Sequence, residues 1–177
     1  MIVLSFSMDH SDIEETEQFM KKDFAPELCE ILEDWIPNGN ITFLVDKLDA
    51  EPCGWKGMNG PLLEFAIKLN RIVHTIKVGD VLVLDTTLQS NPVQFSMTAE
   101  NILILRFGAA NTCETICELA EMQASSEAFC TSLYDFILKQ FPGYFEMMDR
   151  RACGAPSPEE SASARKIRFL SMRTVQG

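Results

Sequence analysis

Residues 81–107 have the sequence VLVLDTTLQSNPVQFSMTAENILILRF, which contains three successive strand patterns. Val81–Leu84 is almost wholly apolar, as expected of a central strand. In Val93–Met97 apolar and polar side chains alternate, which indicates a strand with one face toward solvent. Ile102–Phe107 is apolar again, and Thr98–Asn101 is short enough to be a hairpin loop. The stretch therefore predicts an antiparallel β-meander.

Amphipathic helices are predicted on both sides of this meander. The helix over 61–77 has a continuous apolar stripe, and Gly79 follows it as a residue that tolerates positive φ. A later helix over 126–141 has a similar stripe and ends at Pro142–Gly143. The stretch Thr112–Glu118 is ambiguous, and its alternation of β-branched and Cys residues with Glu favours a fourth strand.

The segments that precede the meander are predicted from local signals. Ser11 and Glu14 form a capping-box pattern, which predicts the start of the first helix. In chain order these segments are a strand over 1–8, a helix over 12–24, a helix from Pro26 to about residue 36, a strand over 41–45, and a loop through Gly54, Gly57 and Gly60.

The order of these elements predicts an α+β domain, an antiparallel β-meander packed on one face by amphipathic helices. The domain is expected over residues 1–148, and 46% hydrophobic residues suffice for a sizeable core. Residues 149–177 are expected to form a partly mobile tail that is rich in basic residues, with Ile167–Met172 as a candidate late strand.

The chain is acidic, with a formal net charge of −11, and the acidity is concentrated near its start. Residues 9–34 contain ten carboxylates against two lysines. Such a surface repels nucleic acid and attracts a protein partner with a basic face, although solvated helix faces would have the same composition. Trp55 is interpreted either as an interface anchor or as a core residue. The predicted partner-binding residues are Asp12, Glu15, Asp23, Glu27, Glu30, Asp34 and Trp55.

We find no sequence motif that carries catalytic, metal-binding or cofactor-binding chemistry. The glycine loop before residue 61 lacks the spacing of a phosphate-binding loop, and Pro61 removes one of the N–H groups that would hold an anion. His74 is predicted to be a solvated surface residue. If Cys113 and Cys117 share a strand, they lie roughly 13 Å apart, too far for one metal ion.

The chain begins without a recognisable signal peptide, so a cytoplasmic location is expected. In that reducing compartment the six cysteines are expected to be mostly free thiols. Cys53, in the predicted glycine-rich loop, is expected to be the most exposed of them.

One succession of segments carries a resemblance to a known type of protein. It runs from the helix with Leu62-Leu63-Glu64-Phe65 through Gly79-Asp80 into the three strands, and ends in the amphipathic closing helix. Over about residues 40–142 the chain resembles small bacterial immunity proteins, which neutralise toxins and are often acidic. The resemblance implies a non-enzymatic protein that binds a toxin domain with a basic surface.

Two other functions remain open at this point. One is an acidic secretion chaperone or adaptor, which would present an apolar groove to an extended peptide. The other is a small enzyme that uses His10 or Cys53.

Overall fold

The computed structural model describes residues 1–21, 37–47, 50–85, 91–98, 101–108 and 113–147. The predicted helix from Pro26 and the predicted tail over 149–177 lie outside the described residues, so these predictions and the domain boundary remain predictions. The elements are β1 Ile2–Ser7, α1 His10–Lys21, β2 Asn38–Lys47, β3 Ala50–Pro61, α2 Leu62–Thr75, β4 Val81–Leu84, β5 Val93–Met97, β6 Ile102–Phe107, β7 Cys113–Glu118 and α3 Leu119–Gln140.

The strands form two antiparallel sheets, which confirms the predicted α+β class. The first sheet has the order β1-β2-β3, and the second is the four-stranded meander β4-β5-β6-β7. The ambiguous stretch before α3 is a strand, as favoured by its alternation. Helices α2 and α3 pack against each other, α2 contacts β4, and α3 contacts β1 and β7.

The predicted glycine-rich loop is wrong, because its residues form most of β3. Gly54 and Gly57 adopt positive φ values of 145° and 65°, and the pairing of β2 with β3 shifts register between Ile41 and Phe43. The Gly57 N–H also donates to the Thr42 hydroxyl at 3.2 Å. The glycines therefore supply the backbone conformations of a bulged strand rather than those of a turn.

Helix α1 begins at His10, and the pair of residues that caps it differs from the predicted pair. The Asp9 carboxylate accepts from the Asp12 N–H at 3.0 Å, and the Asp12 carboxylate accepts from the Asp9 N–H at 2.9 Å. This is a reciprocal capping box one turn long, built from two aspartates. The predicted box from Ser11 and Glu14 is wrong, since Ser11 instead donates to the Asp9 carboxylate at 2.7 Å.

Helix α3 begins at Leu119, directly after β7, rather than near residue 126. Its first N–H donates to the carbonyl of Asn101 at 2.9 Å, so the turn between β5 and β6 supports the start of the helix. Met122 is fully buried, one heptad before the buried Phe129, and extends the apolar stripe toward β7.

An aromatic cluster centred on Phe43 of β2 joins the two sheets and α2. The Phe43 ring meets Trp55 of β3 at 6.1 Å and Phe65 of α2 at 6.2 Å. It also lies 5.1 Å from Phe107 and 6.5 Å from Phe95, which belong to the second sheet. The core is therefore shared by both sheets.

Candidate interaction surface

The predicted acidic surface is only partly within the described residues. Asp23, Glu27, Glu30 and Asp34 lie outside them, and Glu15 is exposed on α1. Asp12 is 8% exposed and its carboxylate is bonded within the cap, so its assignment to a partner-binding surface is wrong.

Trp55 is a core residue, and its assignment as an interface anchor is also wrong. Its side chain is 5% exposed and packs against the rings of Phe43, Phe65 and Phe107. It lies on the inner side of β3 because this segment is a strand with alternating side chains, not a surface loop.

The histidines and cysteines are held in structural contacts. His10 is exposed and pairs with Glu14 at 3.1 Å. His74 is not simply solvated, because its Nδ1 lies 2.9 Å from the Asn70 carbonyl and its Nε2 lies 3.1 Å from Glu127 Oε1. His74 thereby links α2 to α3.

Cys53 is not an exposed thiol, since it forms a disulfide with Cys113 and is 1% exposed. This bond contradicts the expectation of free thiols for these two residues. Cys117 and Cys130 are buried thiols, and burial together with the charge of Glu121 raises the pKa of the Cys117 thiol to about 12. Within the described ranges, no group of three or more His, Cys, Asp or Glu side chains is placed to hold a metal ion.

The side of the β4–β7 sheet that faces away from the core carries aliphatic as well as polar side chains, and we call it the outer face. The strands alternate, so that Leu84, Phe95 and Leu105 point into the core while their neighbours point outward. The aliphatic side chains of the outer face are Val81, Val83, Ile102, Ile104 and Ile116.

The aliphatic side chains of β6 and β7 are neighbours, whereas those of β4 are separated from them by Gln94 and Ser96 of β5. Ser96 of β5 pairs with Val81 on one side and with Ile104 on the other, and Ile104 pairs with Ile116. Val81 is 55% exposed, Val83 53% and Ile116 62%. Exposed aliphatic side chains grouped on one face of a sheet are a feature of interaction sites.

Charged side chains lie on both sides of Ile116 along β7. Glu114 and Glu118 flank Ile116 on the same face, each two residues away along the strand. Arg106 of β6 lies opposite Glu114, and its Nε contacts the Glu114 carboxylate at 2.6 Å. The guanidinium offsets one carboxylate, and Glu118 adds an exposed negative charge at the end of β7.

The sequence of β4 contains a signal for this surface. Val81–Leu84 is apolar on both faces and is therefore predicted as a central strand, yet among the described residues β4 pairs with β5 alone. Ile102–Phe107 is also apolar on both faces. Since helices cover only one side of a meander, apolar residues on its other side imply a surface available for contact.

Comparisons with protein-family models, with curated proteins and with solved structures gave no match to this chain. Among the described helices, none has the length and apolar composition required to cross a membrane.

Proposed function

We propose that this chain is a non-enzymatic binding protein that inhibits another protein, as bacterial immunity proteins inhibit toxins, and that it docks through the outer face. The observation that carries the proposal is the exposure of three aliphatic side chains on the outer face, Val81, Val83 and Ile116. Aliphatic side chains on a rigid sheet supply contact area and shape, which is what a blocking protein requires.

The partner that fits is a folded protein with an apolar patch bordered by Lys or Arg. Burial of Ile116 and the two valines would contribute roughly 1.5–3 kcal/mol per side chain if each were fully covered. Glu114 and Glu118 lie beside Ile116 on β7, and the chain as a whole carries a net charge of −11. Both the local and the long-range charge favour a basic partner.

The acidic segment over 9–34 remains a predicted contributor to this attraction. Glu15 is exposed and is available to it. A cytoplasmic location also remains a prediction, and the disulfide argues against a strongly reducing compartment.

The test compares Ile116→Lys with a control, Ile67→Lys. Ile67 is an aliphatic residue of α2 that is 40% exposed and does not belong to the outer face. A partner recovered with the natural chain is purified, and its Kd is measured by calorimetry at low and high salt. We expect Ile116→Lys to weaken binding by about 30-fold or more and Ile67→Lys to leave it within about 3-fold. Affinity should fall as salt rises.

Equal affinity of both variants, or binding indifferent to salt, would contradict the proposal. Sedimentation velocity of the chain alone tests whether a second copy of the chain covers the outer face. A dimer that Ile116→Lys dissociates would show that a second copy covers the outer face, and this result would also overturn the proposal.

A second candidate function, an adaptor for an extended peptide, is favoured by the position of β4. This strand pairs only with β5 among the described residues, so its other edge can accept an added strand. Unfolded fragments of a partner would then bind as tightly as the intact partner. The inhibitor function predicts instead that only the folded partner binds.

A further inference from the structure

The disulfide between Cys53 and Cys113 joins the two sheets at the strand that carries the outer face. Cys53 lies in β3 of the first sheet, opposite Val45 of β2. Cys113 is the first residue of β7 in the second sheet, and Glu114 and Ile116 follow it directly. The cross-link therefore anchors the beginning of the strand that presents the most exposed aliphatic residue of the surface.

Besides the disulfide, β7 packs against β2 and β3 of the first sheet and makes a hydrogen bond to it within the described residues. The Thr115 hydroxyl donates to the carbonyl of Asp46 at 3.4 Å, which is long for a hydrogen bond. Cys113 pairs with Phe107 on β6, within its own sheet. Without the disulfide, the link between β7 and the first sheet depends on that hydrogen bond and on side-chain packing.

The cross-link also constrains a long part of the chain. It joins residues 60 positions apart, a segment that contains α2, β4, β5 and β6. In the chain-entropy account, closing a loop of this length favours the folded state by about 1,000-fold in the equilibrium constant. The free energy that corresponds to this factor is a large fraction of the free energy of unfolding of an ordinary domain.

The two other cysteines that the structure describes, Cys117 and Cys130, do not compete for this bond. The Cys117 thiol faces the same side of β7 as Cys113, but its raised pKa keeps it protonated and unable to attack. Cys130 is buried on α3, where its thiol donates to the carbonyl of Ala66 at 3.6 Å. Among the described residues no thiol is placed to open the bond, so we consider exchange with an external dithiol.

We propose that the outer face is competent only in the oxidised chain, because the Cys53–Cys113 disulfide fastens β7, and that a dithiol reductant switches it off. One thiolate of the dithiol attacks the sulfur of Cys113, which is less buried than Cys53, and the Cys53 sulfur leaves and takes up a proton. The second thiolate of the dithiol then displaces the Cys113 sulfur, which is likewise protonated. Two protein thiols and one oxidised dithiol result. The binding consequence rests on the proposed function, whereas the ordering of β7 does not.

The test titrates the full chain with dithiothreitol and follows hydrogen exchange in peptides from β7, with urea unfolding in parallel. Mass spectrometry establishes at each step which cysteines are reduced. We expect exchange in β7 to rise by at least about 10-fold on reduction and the folding equilibrium constant to fall by up to about 1,000-fold.

The double variant Cys53→Ala/Cys113→Ala should reproduce the reduced chain without reductant. The matched control, Cys117→Ala, also replaces an inward-facing cysteine of β7 and should retain the full response to the dithiol. If the double variant fails to fold, the titration of the natural chain still decides. Unchanged β7 exchange and unchanged unfolding after complete reduction would overturn the inference.

The two proposals fail separately. Loss of β7 order on reduction with unchanged partner affinity would refute the outer face as the docking surface but leave the redox dependence of the fold. If β7 order is unchanged on reduction but Ile116→Lys weakens binding, the redox dependence is refuted and the outer face remains the docking surface.

Discussion

Asp9 controls the start of α1 through hydrogen bonds to its carboxylate. The Ser11 hydroxyl and then the Asp12 N–H are the main donors, and together they hold the pKa of Asp9 below its ordinary value of 3.8. A carboxylate that is easier to ionise in the folded state stabilises that state above its unfolded pKa. This contribution is lost as the pH falls through the lowered pKa.

We therefore predict that Asp9→Ala frays the first turn of α1 at neutral pH, since it removes the acceptor for the Asp12 N–H. Amide exchange at Asp12 and Ile13 should rise, and acidification of the natural chain through the lowered pKa of Asp9 should produce the same change. Glu14→Gln is the control, because the Glu14 carboxylate pairs with His10 at 3.1 Å and accepts no bond in the cap. Equal fraying in both variants would restore the box predicted from Ser11 and Glu14.

Trp55 combines extensive ring packing with an unsatisfied polar atom. Its indole N–H is buried and has no hydrogen-bond partner within the described part of the chain. An unpaired buried donor costs about 1–3 kcal/mol, so part of the packing energy of this residue is offset.

We predict that Trp55→Phe changes the free energy of unfolding by less than about 1.5 kcal/mol, because loss of the unpaired N–H compensates the smaller ring. Trp55→Ala should cost about 3–5 kcal/mol, since it empties a site enclosed by Phe43, Phe65 and Phe107. Urea unfolding followed by circular dichroism measures both. A loss for Trp55→Phe as large as that for Trp55→Ala would mean that the N–H has a partner.

At the scale of elements, β3 depends on two glycines that serve different purposes. A Cβ at Gly54 would lie 1.9 Å from the carbonyl oxygen of Phe43, whereas a Cβ at Gly57 would meet nothing within 4 Å. Gly54 thus permits close approach of two strands, and Gly57 provides only a left-handed backbone conformation.

We predict that Gly54→Ala lowers the free energy of unfolding by about 3 kcal/mol or more, because the strands must separate. Gly57→Ala should cost only about 1–2 kcal/mol, the penalty of the left-handed conformation. Urea denaturation of the two variants measures the difference. Similar losses would indicate that β2 and β3 separate easily at Gly54, contrary to the close contact with Phe43.

These elements also show which features were predictable from sequence. The helix expected over 61–77 was found at Leu62–Thr75, because its apolar stripe repeats over several turns and Gly79 follows it. The identity of β3 was not predictable, since glycines in a strand and glycines in a loop have the same local composition. Only the backbone pairing of this segment with β2 distinguishes the two cases.

The candidate surface was harder to predict than the fold. Periodicity places Val81 and Val83 on one side of β4, but it does not state which side the helices cover. Likewise, Trp55 could be assigned to the core only after β3 was known to be a strand. Surface assignments depend on the packing of sheets and helices, whereas the elements depend mainly on local pattern.

At the scale of the whole molecule, the two sheets are expected to unfold together. Phe43 belongs to the first sheet, yet its ring packs against Phe95 and Phe107 of the second and Phe65 of α2. Because these side chains share one core cluster, loss of either sheet exposes the packing surface of the other.

We predict that Phe43→Ala lowers the free energy of unfolding by about 3–5 kcal/mol and that amide protection falls together in β2, β5 and β6. Phe43→Leu, at less than about 1.5 kcal/mol, should show the same pattern if the alanine variant does not fold. Phe145→Ala is the control, since the Phe145 ring contacts Tyr134 and Tyr144, which lie outside the two sheets. Loss of protection confined to β2, or two separate urea transitions, would show that the sheets are independent units and that Phe43 does not couple them.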